Sequence, residues 1–352
     1  MEESLKGNIK RCFLNVVHRR YKFQDLQIKY PNISNKVVRK QTAFSNNTPF
    51  PCANATLYGI GKSRYKPNSV HKLRPGDINV IGALGDSLIA GSGALEEWAL
   101  GTMIEYRGVS WCAGGEGTWR EFLTLPNILK EFNPNLKGYS IGTGQFLSYN
   151  SHLNVAFPVA SDEDALGQAK ILVNKIKQIK SIDFKSDWKM VTVFFGANNI
   201  CSGQCFNKEE ASSRNHIRKL SLALDYLQEN LPRTIVNLVS VLDVSVSIRI
   251  KRTMMCRFLH TLFCTCFHNQ DGKELDTIIK LTKEYQKAEE ELVFSGRYDK
   301  KDDFTVVIQP FMKLFNAPKD IKQTFDEVID ISYITHDCFH FSQKGHALGN
   351  VL

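Results

Sequence analysis

Three side chains that could form a nucleophilic relay lie far apart in the sequence, in the order serine, aspartate, histidine. Ser87 belongs to Gly85-Asp86-Ser87-Leu88, which closes the apolar run Ile78–Leu84, while Asp337 and His340 stand near the C-terminus. A serine hydroxyl is a weak nucleophile until an imidazole takes its proton. An aspartate three residues before a histidine can reach ring Nδ1 within one turn, fix the tautomer and stabilise the imidazolium. His336 and His346 compete as bases, but only His340 has an aspartate at that spacing. Taken alone, a serine after Gly-Asp is more often a helix N-cap, because Leu88-Ile89-Ala90 could begin a helix. Likewise a histidine between Phe339 and Phe341 is more often a surface residue. A fourth group, Asn198 of Gly196-Ala197-Asn198-Asn199, offers a carboxamide to a developing oxyanion, although the same four residues also suit a simple turn. Their order along the chain gives these groups a weight that none has singly.

Such groups need a frame to bring them together. Apolar runs suited to buried parallel strands occur at Ile78–Leu84, Leu153–Phe157, Met190–Phe195, Ile235–Leu242 and Phe304–Ile308. Helical patterns alternate with them. Over Asp162–Ile182 one face carries Ala165, Leu166, Ala169, Leu172, Val173, Ile176 and Ile179, opposite lysines. His216–Leu231 repeats the pattern and is closed by Pro232, and Leu275–Leu292 forms a more polar third helix. Strands alternating with helices predict an α/β fold, a mostly parallel sheet covered on both faces. Right-handed crossovers align the strand C-termini along one edge, where open α/β sheets bind ligands. Ser87, Asn198 and His340 all follow strands and are therefore expected on that edge.

Other chemistries fit less well. A nucleophile elbow G-x-S-x-G requires glycine where Ile89 stands. Gly61-Lys62-Ser63 ends like a phosphate-binding loop, yet Thr56 occupies the upstream glycine position and no strand precedes it. Cys256, His260, Cys264, Cys266 and His268 match no standard zinc spacing, so disulfides are the expected use of these cysteines. Cys201 and Cys205 bracket the loop after Asn198, which predicts a bond between them. Nine cysteines are an odd number, so at least one thiol is free or paired between chains.

Composition sets the class. An apolar content of 43% with 23% charged residues is that of a globular protein, and 352 residues supply a core that needs no metal or disulfide. Residues 1–70 are polar, basic and weakly periodic, and read as an N-terminal extension to a domain over 71–352. A net charge of +9 attracts anionic surfaces, either phospholipid or nucleic acid. Many cysteines and the sequons Asn32-Ile33-Ser34, Asn46-Asn47-Thr48 and Asn54-Ala55-Thr56 favour a secreted or extracellular, membrane-associated protein. No continuous apolar stretch follows Met1, since Lys10, Arg11, Arg19, Arg20 and Lys22 enclose Phe13–Val17. The expectation is that this start is not the authentic one. No run reaches the roughly 18 apolar residues of a membrane span.

With these residues in hand, the sequence resembles the GDSL (SGNH) hydrolases, and within them the animal membrane-associated phospholipase B family. Support comes from Gly85–Leu88, Arg107–Trp111 with Gly114–Gly117, Thr124–Leu129, Phe132–Pro134, Leu153–Ala156, Phe195–Asn199 and Asp337–Ser342, together spanning about residues 50 to 352. The resemblance implies a three-layer, flavodoxin-like α/β/α sandwich on five strands. It implies Ser87 as nucleophile, Asn198 as oxyanion donor, His340 as base and Asp337 as its partner. It also implies a phospholipid or lysophospholipid substrate, an anionic membrane as the surface of work, no nucleic-acid partner, and neither metal nor organic cofactor. Two alternatives stay open: an esterase for a small ester or acetylated carbohydrate, and a non-catalytic lipid-binding member. Two positions depart from the family pattern. Val159 stands where a glycine is usual, crowding the oxyanion site and straining any positive φ, and Asn199 replaces an aspartate; both bear on rate rather than fold. Family members usually continue into a closing helix, so the C-terminal helix is expected to be truncated after Gly345-His346.

Overall fold

A computed structural model describes residues 37–52, 61–248, 254–266, 272–316 and 330–349. Its centre is a parallel sheet of β1 (Ile78–Gly85), β2 (Trp188–Phe194), β3 (Thr234–Val239) and β4 (Phe304–Gln309), in that spatial order. Side chains alternate across it. Val80, Leu84, Val191, Val193, Val236, Leu238, Val306 and Ile308 face one layer, while Ile81, Ala83, Met190, Phe194, Ile235 and Val239 face the other. That period of two gives each face its own core.

The first layer is helical. The short helix α1 (Ser87–Ala90) follows β1, and this layer comprises α2 (Ala165–Gln178) and α3 (Ser213–Asn230). The α2 stripe Ala165, Ala169, Leu172, Val173 and Ile176 and the α3 stripe Leu220, Ala223, Leu224 and Leu227 are buried against the strands, as their 3.6-residue spacing requires. Helix α4 (Met254–Phe263) precedes the long α5 (Gly272–Phe294), and α6 (Gln343–Leu348) follows the last loop. The opposite layer is built from turns and short helices, with Trp111, Trp188, Leu129 and Met312 filling it. The described part of residues 37–70 lies against this body: Phe44 packs on Trp119 at 5.1 Å, and Arg39 Nε donates to the Ile334 carbonyl at 2.8 Å. Among the described residues no helix is long and apolar enough to cross a membrane.

The fifth expected strand, Leu153–Phe157, is not a regular strand. It runs beside β1 through one parallel bridge, Ala83 with Asn154, where Val155 N–H donates to Ala83 O and Ala83 N–H to Leu153 O, both at 3.0 Å. Counting it as a position, the order is 2-1-3-4-5 in chain sequence, the doubly wound arrangement whose crevice opens beside β1. Its pairing with β1 stops on either side of that bridge because Gly85 N–H donates to Gln168 Oε1 at 2.8 Å and Ile81 N–H to Lys137 O at 2.9 Å, and its outer edge is closed by Arg107. This fully buried guanidinium donates to Asn154 O at 3.1 Å and Ala156 O at 2.7 Å. It satisfies carbonyls that would otherwise face a further strand, and it pairs with Glu105.

Candidate active site

The turn that carries Ser87, the candidate nucleophile, begins at Gly85. A Cβ there would lie 2.7 Å from the Phe194 carbonyl oxygen and 2.6 Å from Ile89 Cγ1, so only glycine fits between β2 and the returning turn. Gln168, reaching in from α2, accepts from Gly85 N–H and donates to Gly85 O, each at 2.8 Å. This pins the last residue of β1. Asp86 then caps α1: its Oδ1 accepts from Leu88 N–H at 2.9 Å. The N-cap role that Ser87 could have played thus falls to its neighbour, and the Ser87 hydroxyl is released into the site.

That hydroxyl lies 2.9 Å from His340 Nε2, and His340 Nδ1 lies 2.7 Å from Asp337 Oδ2. The carboxylate accepts a hydrogen bond from Nδ1–H, which fixes the tautomer and leaves Nε2 to accept from the Ser87 hydroxyl. Asp337 is itself fixed. Its Oδ1 accepts from the backbone N–H groups of Phe339 at 2.8 Å and His340 at 3.0 Å, and from the Thr335 hydroxyl. Burial alone would raise its pKa; the His340 charge and these hydrogen bonds outweigh that and hold it well below the usual carboxylate range.

Both competing histidines are occupied elsewhere. His346 is buried, its Nδ1 accepts from Trp111 N–H at 3.3 Å, and burial together with the nearby His340 pushes its pKa down to about 3. His336 meets Arg39 through Nε2 at 3.2 Å.

Asn198 leaves the sheet on the next strand, which is in register with the first, Gly85 opposite Phe194. Its Nδ2 donates to Ala160 O at 2.8 Å, and its second proton is not taken by that bond. Phe157-Pro158-Val159-Ala160 forms a β-turn closed by Ala160 N–H to Phe157 O at 3.3 Å, with Val159 at φ 66° and 79% exposed. A proline second and a positive φ third are the marks of a type II turn, whose third place suits glycine. The strain expected of valine is thus present in the backbone. Among the described residues, neither Ser87 N–H nor Val159 N–H donates to a protein acceptor. Two backbone donors and one carboxamide proton are therefore uncommitted on the edge where β1 and β2 end.

Beneath this turn is a buried polar network with no counterpart in the sequence reading. Asn199 Oδ1 accepts from Asp162 N–H at 3.1 Å and its Nδ2 donates to Asp162 Oδ1 at 3.0 Å. Asp162 Oδ2 meets His216 Nδ1 at 2.9 Å, and His216 Nε2 meets Glu289 Oε1 at 3.3 Å. Lys219 closes on Asp162 at 3.1 Å. Though burial opposes it, hydrogen bonding to the two carboxylates raises the His216 pKa. The network ties the residues after Val159 to α3, α5 and the Asn198 turn.

The expected bond between Cys201 and Cys205 is absent. Cys201 joins Cys264 and Cys205 joins Cys266. The helical turn after Asn198 carries Cys201 and Cys205 follows it, so both meet one crossing segment, held there by Cys266 N–H to Cys201 O at 2.9 Å. Cys256 of α4 joins Cys338, which lies between Asp337 and His340. The same helix supplies His260, whose Nε2 donates to Cys338 O at 3.1 Å, and Phe263, edge-on to His340 at 5.3 Å. Cys112 is a buried thiol outside these bonds, and burial pushes its pKa up to about 12. Of the sequons, Asn46-Asn47-Thr48 is described and Asn46 is exposed, while those at Asn32 and Asn54 lie outside the described residues, as does His268.

Comparison with known proteins gives the family. A family model described as GDSL-like Lipase/Acylhydrolase matches residues 81–348. The chain is 42% identical over 288 residues to "Phospholipase B1, membrane-associated" of Mus musculus, covering 80% of this chain and 19% of that protein. It is 42% identical over 289 residues to the protein of the same name in Homo sapiens, again covering 80% and 19%. For Rattus norvegicus the identity is 40% over 288 residues, covering 80% and 20%. The chain spans about a fifth of the length of the curated relatives it matches.

Proposed function

Since the chain belongs to the GDSL-like lipase/acylhydrolase family, we propose that it is a serine esterase of phospholipase B type, cleaving fatty acyl esters of phospholipids and lysophospholipids. The observation that carries the reading is the hydrogen-bonded chain Ser87–His340–Asp337; three uncommitted N–H donors on the same sheet edge support it. The names of the relatives support a lipid substrate.

In this reading Ser87 Oγ attacks the ester carbonyl carbon as His340 Nε2 takes its proton. The carbonyl oxygen becomes an oxyanion that accepts from Ser87 N–H, Val159 N–H and Asn198 Nδ2. The tetrahedral intermediate collapses, the C–O bond to the glycerol oxygen breaks, and His340 returns the proton to that oxygen. An acyl-Ser87 ester remains. Water, deprotonated by His340, attacks it; the fatty acid leaves and Ser87 regains its proton. Asp337 stays ionised throughout and offsets the charge on the imidazolium. The net charge of +9 supports an anionic membrane as the surface of work, and the disulfides and sequons support a secreted or extracellular, membrane-associated protein.

The test offers phosphatidylcholine and lysophosphatidylcholine to the protein and to Ser87→Ala, and follows fatty acid release. Release is expected from the first and abolished in the second. Equal release by both would sink the assignment of Ser87. Release from a short soluble ester but from neither lipid would favour the small-ester alternative.

A further inference from the structure

Helix α4 has two apolar faces. Its inner face, Cys256, Leu259, His260 and Phe263, packs on the loop that carries Asp337 and His340. Its outer face presents Met254 (87% exposed), Phe258 (60%) and Leu262 (56%), with Met255 beside them. Met254, Phe258 and Leu262 recur every fourth residue, so they form one stripe along the helix. Large apolar side chains exposed in a contiguous stripe mark an interaction surface. A second exposed apolar element is tied to the start of α6, just after that loop. Trp98 (76% exposed), Leu100 and Met103 follow the nucleophile turn, and the Gln343 N–H donates to Ala94 O at 2.8 Å just before them.

Charge selects the partner. Between Val244 and Gln270 the sequence holds Arg249, Lys251, Arg252 and Arg257, and neither aspartate nor glutamate. A short helix with Phe, Leu and Met exposed, in a stretch of purely positive charge, has the composition of an element that lies in the headgroup layer of an anionic bilayer.

We propose that α4 is the membrane-docking element of this protein and that its occupant is an anionic phospholipid surface. Met254, Phe258 and Leu262 enter the acyl boundary, while the opposite face of the same helix holds the His340 loop. Docking thereby sets the catalytic histidine beside the lipid layer. The inference rests on the esterase reading only for its consequence for turnover; membrane binding itself stands apart from it.

The molecule supplies its own reporter. It has four tryptophans, and Trp111, Trp119 and Trp188 are buried, which leaves Trp98 as the exposed one. The full chain is mixed with vesicles of phosphatidylcholine, with and without phosphatidylglycerol, and compared with the triple variant Met254→Ser, Phe258→Ser, Leu262→Ser. The wild type is expected to sediment with the anionic vesicles and to show a blue shift of Trp emission. The variant is expected to lose at least about tenfold in vesicle affinity and in turnover of vesicle lipid, while cleaving a short soluble ester at an unchanged rate.

Equal vesicle binding by both proteins would overturn the proposal. So would a parallel loss on both substrates, which would make the stripe a scaffold for His340. A concentration-dependent dimer abolished by the triple variant would seat a second copy there instead, and would overturn it too. Hydrogen exchange over 254–263 in the wild type serves if the variant does not fold; no added protection on anionic vesicles would count against α4. If the wild type cleaves no ester at all, the esterase reading fails, while the vesicle measurements still judge the docking surface.

Discussion

Asn199 and Asp162 form a reciprocal pair, the carboxamide oxygen accepting from the aspartate's N–H at 3.1 Å and the amino group donating to its Oδ1 at 3.0 Å. A carboxylate at position 199 could accept but not donate, and it would set two buried acids face to face. The family's usual aspartate is thus unsuited to this molecule, and the exchange is matched to Asp162 rather than a defect. Asn199→Asp is expected to destabilise the protein by about 2–4 kcal/mol and to lower turnover through the adjacent Val159 turn. Chemical denaturation with parallel kinetics checks this; unchanged stability would show that the pair is not structural.

Val159 holds a positive φ that costs a side-chain-bearing residue about 1–2 kcal/mol. Val159→Gly removes both the strain and an exposed isopropyl group beside the proposed oxyanion site. Thermal unfolding is expected to rise by about 2 °C and kcat on a lipid ester to increase. A fall in both would mean that the valine is itself a contact for substrate.

The Cys256–Cys338 bond ties α4 to the residue between Asp337 and His340. Replacing both cysteines by serine should cost about 2–5 kcal/mol. A loosened His340 should also lower kcat by about tenfold or more, because small misplacements of a base are costly. The comparison is made at a temperature where the variant remains folded, by circular dichroism. Full activity there would separate the disulfide from the site.

Burial pushes the Asp86 pKa up to about 6, against the Leu88 N–H and the His340 charge, which lower it. Its Oδ2 finds no hydrogen-bond partner among the described residues. The sign follows from linkage. Between about pH 4 and 6 the unfolded chain ionises this acid while the folded protein keeps its proton, so stability falls as pH rises through that window. Asp86→Asn keeps the cap and removes the titration. The variant should therefore gain on the wild type by about 2–3 kcal/mol between pH 4 and 7, read from denaturation midpoints. Asp337, held low, contributes in the opposite sense and only in more acidic solution. A constant difference across pH would contradict the raised pKa.

Much of this architecture is legible in the sequence because burial imposes periodicity. The four regular strands and helices α2, α3 and α5 follow from apolar runs and 3.6-residue stripes. Ser87, Asp337 and His340 are legible because their order and spacing carry chemistry. The fifth strand misleads, since Leu153–Phe157 has the composition of a strand while Gln168 and the Lys137 carbonyl, both distant in sequence, take the β1 N–H groups that would extend pairing, and Arg107 closes its outer edge. The disulfide partners of Cys201 and Cys205 depend on a crossing segment about 60 residues away, which spacing does not encode. Gln168 and His216 did leave a signal: each is a polar residue on the apolar stripe of its helix, buried because its hydrogen bonds are made inside.

The most direct measurement is covalent. A fluorophosphonate is added to the folded protein and the adduct is located by peptide mass spectrometry, with Ser87→Ala and His340→Ala alongside. One adduct, on Ser87, lost in the first variant and strongly slowed in the second, is the predicted result. A folded protein that takes no label, or a label that persists in Ser87→Ala, would contradict the central claim.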